Sequence, residues 1–309
     1  MTRFFRKVRA NISQEAGNVS LIVAGGMVTF LMLAALVADV GYLFTRQQKL
    51  QNALDAGALG GIQHILLGEQ AAKATASSYV SVNEGVVTQI TADRSSLTLQ
   101  ITGEEKVPLW FARIMGINES TVQATAKAKA GTVTAMKGIV PIAVPDQTFW
   151  YGALYELTEE AGDGDKGNYG FLDFSGGGAN KLADYIENGY NGQLRVGEEV
   201  DTLTGINHGP VERAIDSRLE QDDLIQSCQS YRTATRSCER VVFLPVIDTF
   251  EVEGKKPVTV VGFAAFYLVG TTRKGGHMIL EGRFLQMMTP GEMGQGPNYG
   301  VYTSKLTQS

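Results

Sequence analysis

Two cysteines, Cys228 and Cys238, stand with nine residues between them in CQSYRTATRSC. Thiols at that spacing can close a polar loop as a disulfide, remain free, or share a metal ion. A disulfide is the expectation, worth about 2–3 kcal/mol in the chain-entropy model. The chain has no second cysteine pair and no histidine beside these two to complete a thiolate metal site. Carboxylates offer a second possibility. Asp163, Asp165 and Asn168 match the D-x-D opening of a calcium loop, but no glutamate closes the pattern at the required distance. Catalytic chemistry has less support. His64, His208 and His277 lie in unrelated contexts, and none belongs to a G-x-S-x-G or H-E-x-x-H pattern. Gly176-Gly177-Gly178 is followed by Ala179-Asn180 rather than by the lysine of a phosphate loop. Glu198-Glu199 and Asp222-Asp223 are adjacent pairs of the kind found on solvated faces. The expectation is a protein that is not an enzyme and carries no cofactor or metal.

The elements that would position these groups are set by Val19 to Ala38, twenty residues without a charge. As a helix this run is about 30 Å long, the thickness of a bilayer's hydrocarbon core. Val19, Ala38 and Asp39 mark its limits. Residues 1–17 carry Arg3, Arg6, Lys7 and Arg9 against Glu15, whereas the whole chain is net −5. A basic head before the span keeps the N-terminus cytoplasmic and exports the body. Export in turn favours the disulfide. A cleaved secretory signal has a shorter apolar core and a small-residue cleavage site after it, so an uncleaved single-pass anchor is expected. The acidic body lacks the basic stripe that nucleic acid requires. Membrane lipid is the first partner implied.

Beyond Asp39 the helical pattern continues without proline to about Leu67, which from Val19 measures about 73 Å. Leu43, Leu50 and Leu54 form an apolar seam. Ala53, Gly57 and Gly61 recur every fourth residue, and small residues at that spacing let another backbone approach closely. The alternative is that Gly57, Gly60 and Gly61 end the helix. A helix over 69–82, strands over 86–92 and 96–102, a short amphipathic helix over 107–115 and a strand over 120–130 make a small α/β layer. Residues 131–137 read as a linker or bridging strand. The remainder is mostly β, with candidate strands at 138–144, 169–174, 192–200, 241–249, 258–269 and 277–288 and a helix near 209–221. VTVVGFAAFYLV is apolar on both faces and too short to span a membrane, so it fits the centre of a sandwich or barrel. The fold class is therefore α+β. It divides into a head (1–18), a span (19–38), a helix with its α/β layer (39–131) and a mostly-β region (132–309).

Residues 13–65 resemble the N-terminal segment of the Tad/Flp pilus-assembly proteins of the TadE/TadG-like group. The likeness rests on Gly17-Asn18, Ala38-Asp39-Val40-Gly41, Arg46, Leu50-Gln51-Asn52-Ala53 and Asp55-Ala56. Phe111-Ala112, Gly116-Ile117 and Val122 to Ala130 are similar to the same family's exported tail. The resemblance implies an envelope-anchored component of a type IV-like pilus or secretion apparatus. Its partners would be other pilus-assembly proteins, pilin-like subunits or a further copy of the chain, met through Ala53, Gly57 and Gly61. Members cut by a prepilin peptidase carry glutamate five residues into the mature chain; if Gly17 preceded the cut, that position here is Ile22. An uncleaved accessory protein is the better match. Asp173-Phe174-Ser175-Gly176-Gly177 is similar to the D-x-S-x-S metal-adhesion motif of von Willebrand factor A domains, with Gly177 in place of the second serine. A surface protein binding a ligand or cation through residues 163–177 is thus the alternative function.

Overall fold

The computed structural model describes residues 2–158, 170–175, 178–203, 206, 208–249, 256–275 and 277–307, with backbone alone for 2–18 and 178–180. A single helix, α1 (Thr2–Ile62), opens the chain and is about 90 Å long. Its large apolar side chains between Val19 and Val37 project away from the rest of the protein. From Leu50 onward one face is buried, through Leu50, Ala53, Leu54, Ala58 and Ile62. The helix therefore stops at Ile62, short of the expected Leu67. A 3-10 turn over Ile65–Leu67 follows, and Gly68, at φ +127°, redirects the chain into α2 (Glu69–Val82).

α1 and α2 lie on one face of a sheet made of β1 (Gln89–Asp93), β2 (Thr98–Pro108) and β3 (Glu119–Met136), which pair antiparallel. The buried alanines of β3 (Ala124, Ala126, Ala128, Ala130) meet Leu99 and Ile101 of β2 beneath the helices. β2 is longer than the sequence pattern predicts and takes up the start of the expected helix at 107–115. Leu99, Ile101, Gly103 and Val107 point inward along an unbroken alternation that the charges of Glu104, Glu105 and Lys106 conceal. Only a 3-10 turn, Ala112–Met115, remains of that helix.

β3 crosses the boundary expected at 131/132 and bridges to the second region, where β4 (Ile142–Pro145), β5 (Tyr155–Thr158) and β6 (Gly170–Asp173) lead to α3 (Gly178–Asn188). Then come β7 (Leu194–Arg195), β8 (Glu199–Leu203), α4 (His208–Gln221), β9 (Val241–Ile247), β10 (Pro257–Lys274) and β11 (His277–Leu285). The single strand expected at 192–200 is two, because Gly197 at φ +88° breaks it. β10 pairs with β8, β9 and β11, while β8–β6–β4–β9 completes a ring that closes on β10. Alternate residues of β10 serve two cores, as its two-sided apolarity predicts. Ala264, Phe266 and Leu268 meet α3 and α4, whereas Phe263, Ala265 and Tyr267 face the disulfide side. The last segments, β12 (Met287–Met288), β13 (Glu292–Met293) and β14 (Val301–Thr307), return to the first sheet, with β13 and β14 on β3 and β12 on β14. The chain is α+β, and its second region is mostly β.

Candidate membrane-anchor and packing interface

Among the boundary residues, Asp39 has the most specific surroundings. It is only 5% exposed on a helix whose neighbours are open. Its Oδ1 accepts from the Trp110 amide at 3.0 Å, and its Oδ2 accepts from Phe111 and Ala112 at 3.0 and 2.7 Å. Three consecutive N–H groups at the head of a 3-10 turn form a cradle for an anion, and here a carboxylate from α1 fills it. Two turns further along α1, Arg46 forms an ion pair with Glu105 of β2, and that hydrogen bond holds the Arg46 guanidinium above its ordinary pKa. Gln51 then donates to the Thr125 carbonyl of β3 at 3.1 Å. These three polar contacts run along one side of α1 and tie it to the β2–β3 hairpin from the end of the apolar run inward.

The small-residue ridge has a different occupant from the one expected. A Cβ on Gly57 would lie 2.3 Å from Val80 Cγ2, and one on Gly61 would lie 2.8 Å from the Ala72 carbonyl oxygen. Gly60 similarly lies against the Tyr79 ring, and Ala53 against Gly85. Ala53, Gly57 and Gly61 therefore receive α2 and the turn after it, from the same chain. A partner helix cannot use a ridge that is already filled. The missing side chains of Gly57, Gly60 and Gly61 make room for α2, and α1 ends one residue past Gly61.

Cys228 and Cys238 are joined as a disulfide, both buried, with Cα atoms 5.5 Å apart. The loop they close rests against β10, where the Tyr267 hydroxyl donates to the Cys228 carbonyl at 2.9 Å. The buried Asp222 carboxylate lies within 4.8 Å of both sulfurs. Its Oδ2 accepts from the Arg240 amide at 2.9 Å, and with the sulfurs bonded to each other it is the one donor left for a metal. The solvated face expected for the Asp222–Asp223 pair holds only for Asp223: Asp222, just past the end of α4, is buried against the disulfide and Arg240.

Asp163, Asp165, Asn168, Gly176 and Gly177 lie outside the described residues. Of the adhesion-like motif, Ser175 donates its amide to Asp173 Oδ1 at 3.3 Å in a local turn, and its Oγ accepts from the Tyr185 hydroxyl. A groove of about 460 Å³ beside the disulfide is lined in part by Lys137, Arg218, Arg236, Glu239 and Glu292. Its carboxylates are engaged, Glu239 with Arg218 and Glu292 with Arg195; the hydrogen bond from Arg195 holds Glu292 below the usual carboxylate range. His64 lies in the turn between α1 and the Ile65–Leu67 3-10 turn, His208 begins α4 and His277 begins β11, so the histidines sit in three separate places.

Fold and contacts define an α+β protein carried on one long helix whose first part is long and apolar enough to cross a membrane. Residues 17–76 match the family of putative Flp pilus-assembly TadE/G-like proteins. The matched stretch covers the apolar run, the packed half of α1 and the first turns of α2, which links this part of the chain to Flp pilus assembly. No curated protein and no solved structure matches the chain significantly.

Proposed function

We propose that the chain is a membrane-anchored, non-enzymatic component of a Flp/Tad-type pilus-assembly or secretion apparatus. The first part of α1 holds it in the bilayer as a single-pass anchor, with the basic head in the cytoplasm and the two-sheet body outside. The observation that carries this reading is the extent of the family match over residues 17–76. It takes in both the apolar run and the helix that seats the body on that run. The body acts by contact with other assembly proteins or pilin-like subunits. Because α2 fills the Ala53–Gly57–Gly61 ridge, those contacts are made by the outer surfaces of the body.

The experiment joins topology to assembly. In intact cells an epitope at the N-terminus should resist external protease while one at the C-terminus is digested, and cells lacking the chain should lose their Flp-type pili. Unchanged piliation in those cells would overturn the assembly role, and digestion of the N-terminal epitope would overturn the orientation.

A further inference from the structure

The β2–β3 hairpin runs back along α1 toward its apolar half. Gly61 faces Leu99, Gly57 faces Ile101, Leu54 faces Gly103, Arg46 pairs with Glu105, and Asp39 binds Trp110 to Ala112. As numbers rise on β2 they fall on α1, so the hairpin tip ends beside the last turn of the apolar run. That tip is closed by the Leu109 amide donating to the Asn118 carbonyl at 3.0 Å. It exposes Trp110 (69%), Ile114 (86%) and Met115 (79%), with Phe111 and Ile117 also open. Arg113 is the one charged residue between Leu109 and Asn118. An exposed apolar cluster of this kind marks a contact surface. The Trp110 ring lies 5.6 Å from that of Tyr42, and Tyr42 lies about 6 Å along the axis beyond Ala38. That is the headgroup level, where Trp and Tyr are enriched.

We propose that this hairpin tip is a second membrane contact, entering the lipid interface beside the point where α1 leaves the bilayer. Trp110, Phe111, Ile114 and Met115 occupy the boundary between headgroups and acyl chains, while Arg113 extends to the lipid phosphates. The bilayer is the occupant because the tip is continuous with the span and latched to its end by Asp39. Two attachment points then fix the tilt and rotation of the body above the membrane, which a lone helix leaves free. The inference rests on α1 spanning the membrane, and not on the pilus role.

The test uses the full chain carrying Trp150→Phe, which leaves Trp110 as its single tryptophan. The protein is reconstituted into phosphatidylcholine–phosphatidylglycerol vesicles with or without acyl-chain bromine. Trp110 emission should be blue-shifted and fall about two-fold with brominated lipid, as for a ring at the interface. Adding Ile114→Asp and Met115→Asp should remove most of that quenching while the protein still floats with the vesicles. Water-like, unquenched emission from floating protein would overturn the proposal. So would blue-shifted emission that ignores bromine and vanishes at one protein per lipid disc, because a protein would then cover the tip. Wild-type protein that fails to float would remove the anchor itself, and the contact with it.

Discussion

Gly57→Ala tests most directly whether the small-residue ridge is a seat for α2. The added methyl would lie 2.3 Å from Val80 Cγ2 and 3.0 Å from both the Ala76 carbonyl oxygen and Ile101 Cδ1. Val80 is fully buried and, being β-branched, has one strongly preferred rotamer on a helix; Ala76 presents backbone. Relief must come from shifting α2, and overpacking of this kind costs about 1–3 kcal/mol. Alanine returns up to about 1 kcal/mol of helix propensity; because the methyl meets backbone and a rotamer-locked side chain, the overpacking cost lies in the upper part of its range, about 2–3 kcal/mol, and the net loss is about 1–2 kcal/mol. Gly41→Ala on the same helix meets nothing within 4 Å and should be neutral or slightly stabilising. Pulse proteolysis of the detergent-solubilised full chain across a urea series should show the Gly57→Ala midpoint lowered by about 0.5–1 M. Val80→Ala removes the obstructing methyls. In that background the Gly57→Ala penalty should shrink by about 1 kcal/mol, a coupling expected of touching residues. A Gly57→Ala protein as stable as wild type, or a penalty unchanged by Val80→Ala, would refute the packing argument.

Two further outcomes follow from the body. Replacing both cysteines, as Cys228→Ser with Cys238→Ser, should destabilise the second region by about 2–3 kcal/mol. The check is the melting temperature under non-reducing conditions, and equal values for variant and wild type would contradict a stabilising cross-link. Asp93, at the turn between β1 and β2, is held down to about 2 from an ordinary 3.8 by hydrogen bonds from the Ser95 and Ser96 hydroxyls and amides. A depressed carboxyl stabilises the fold above its unfolded pKa, and that contribution is lost as pH falls through the folded one. Melting curves of wild type and Asp93→Asn should therefore converge as pH is lowered from about 4 to about 2. Parallel curves across that window would show that the Asp93 turn contributes nothing to folding.

Local signals were legible wherever chemistry or periodicity acts over a few residues. The charge-free run from Val19 to Ala38, the four-residue spacing of Ala53, Gly57 and Gly61, the cysteine spacing and the alternation within β10 are all of that kind. Their physical basis is the repeat of helix or strand, which a stretch of sequence carries by itself. β2 misled because Glu104 and Lys106 face outward, Glu105 takes an inward position opposite Arg46, and the inward Gly103 is small. A Cβ at Gly103 would lie 2.3 Å from the Val86 carbonyl oxygen, a contact made by a segment outside the strand.

What the sequence alone determined is an apolar helical run long enough to cross a membrane, the α+β class and the pairing of two nearby thiols. Each depends on neighbours along the chain. Tertiary structure decided the partners: that α2 rather than another protein fills the glycine ridge, that β14 returns to β3, and that Asp39 receives the amides of Trp110 to Ala112. Those contacts reach from Gly61 against Ala72, 11 positions apart, to Lys127 against Thr307, 180 apart, and each is a docking of one surface against another. No periodicity encodes such docking, because it depends on which of several complementary faces buries the most apolar area while leaving few polar groups unpaired.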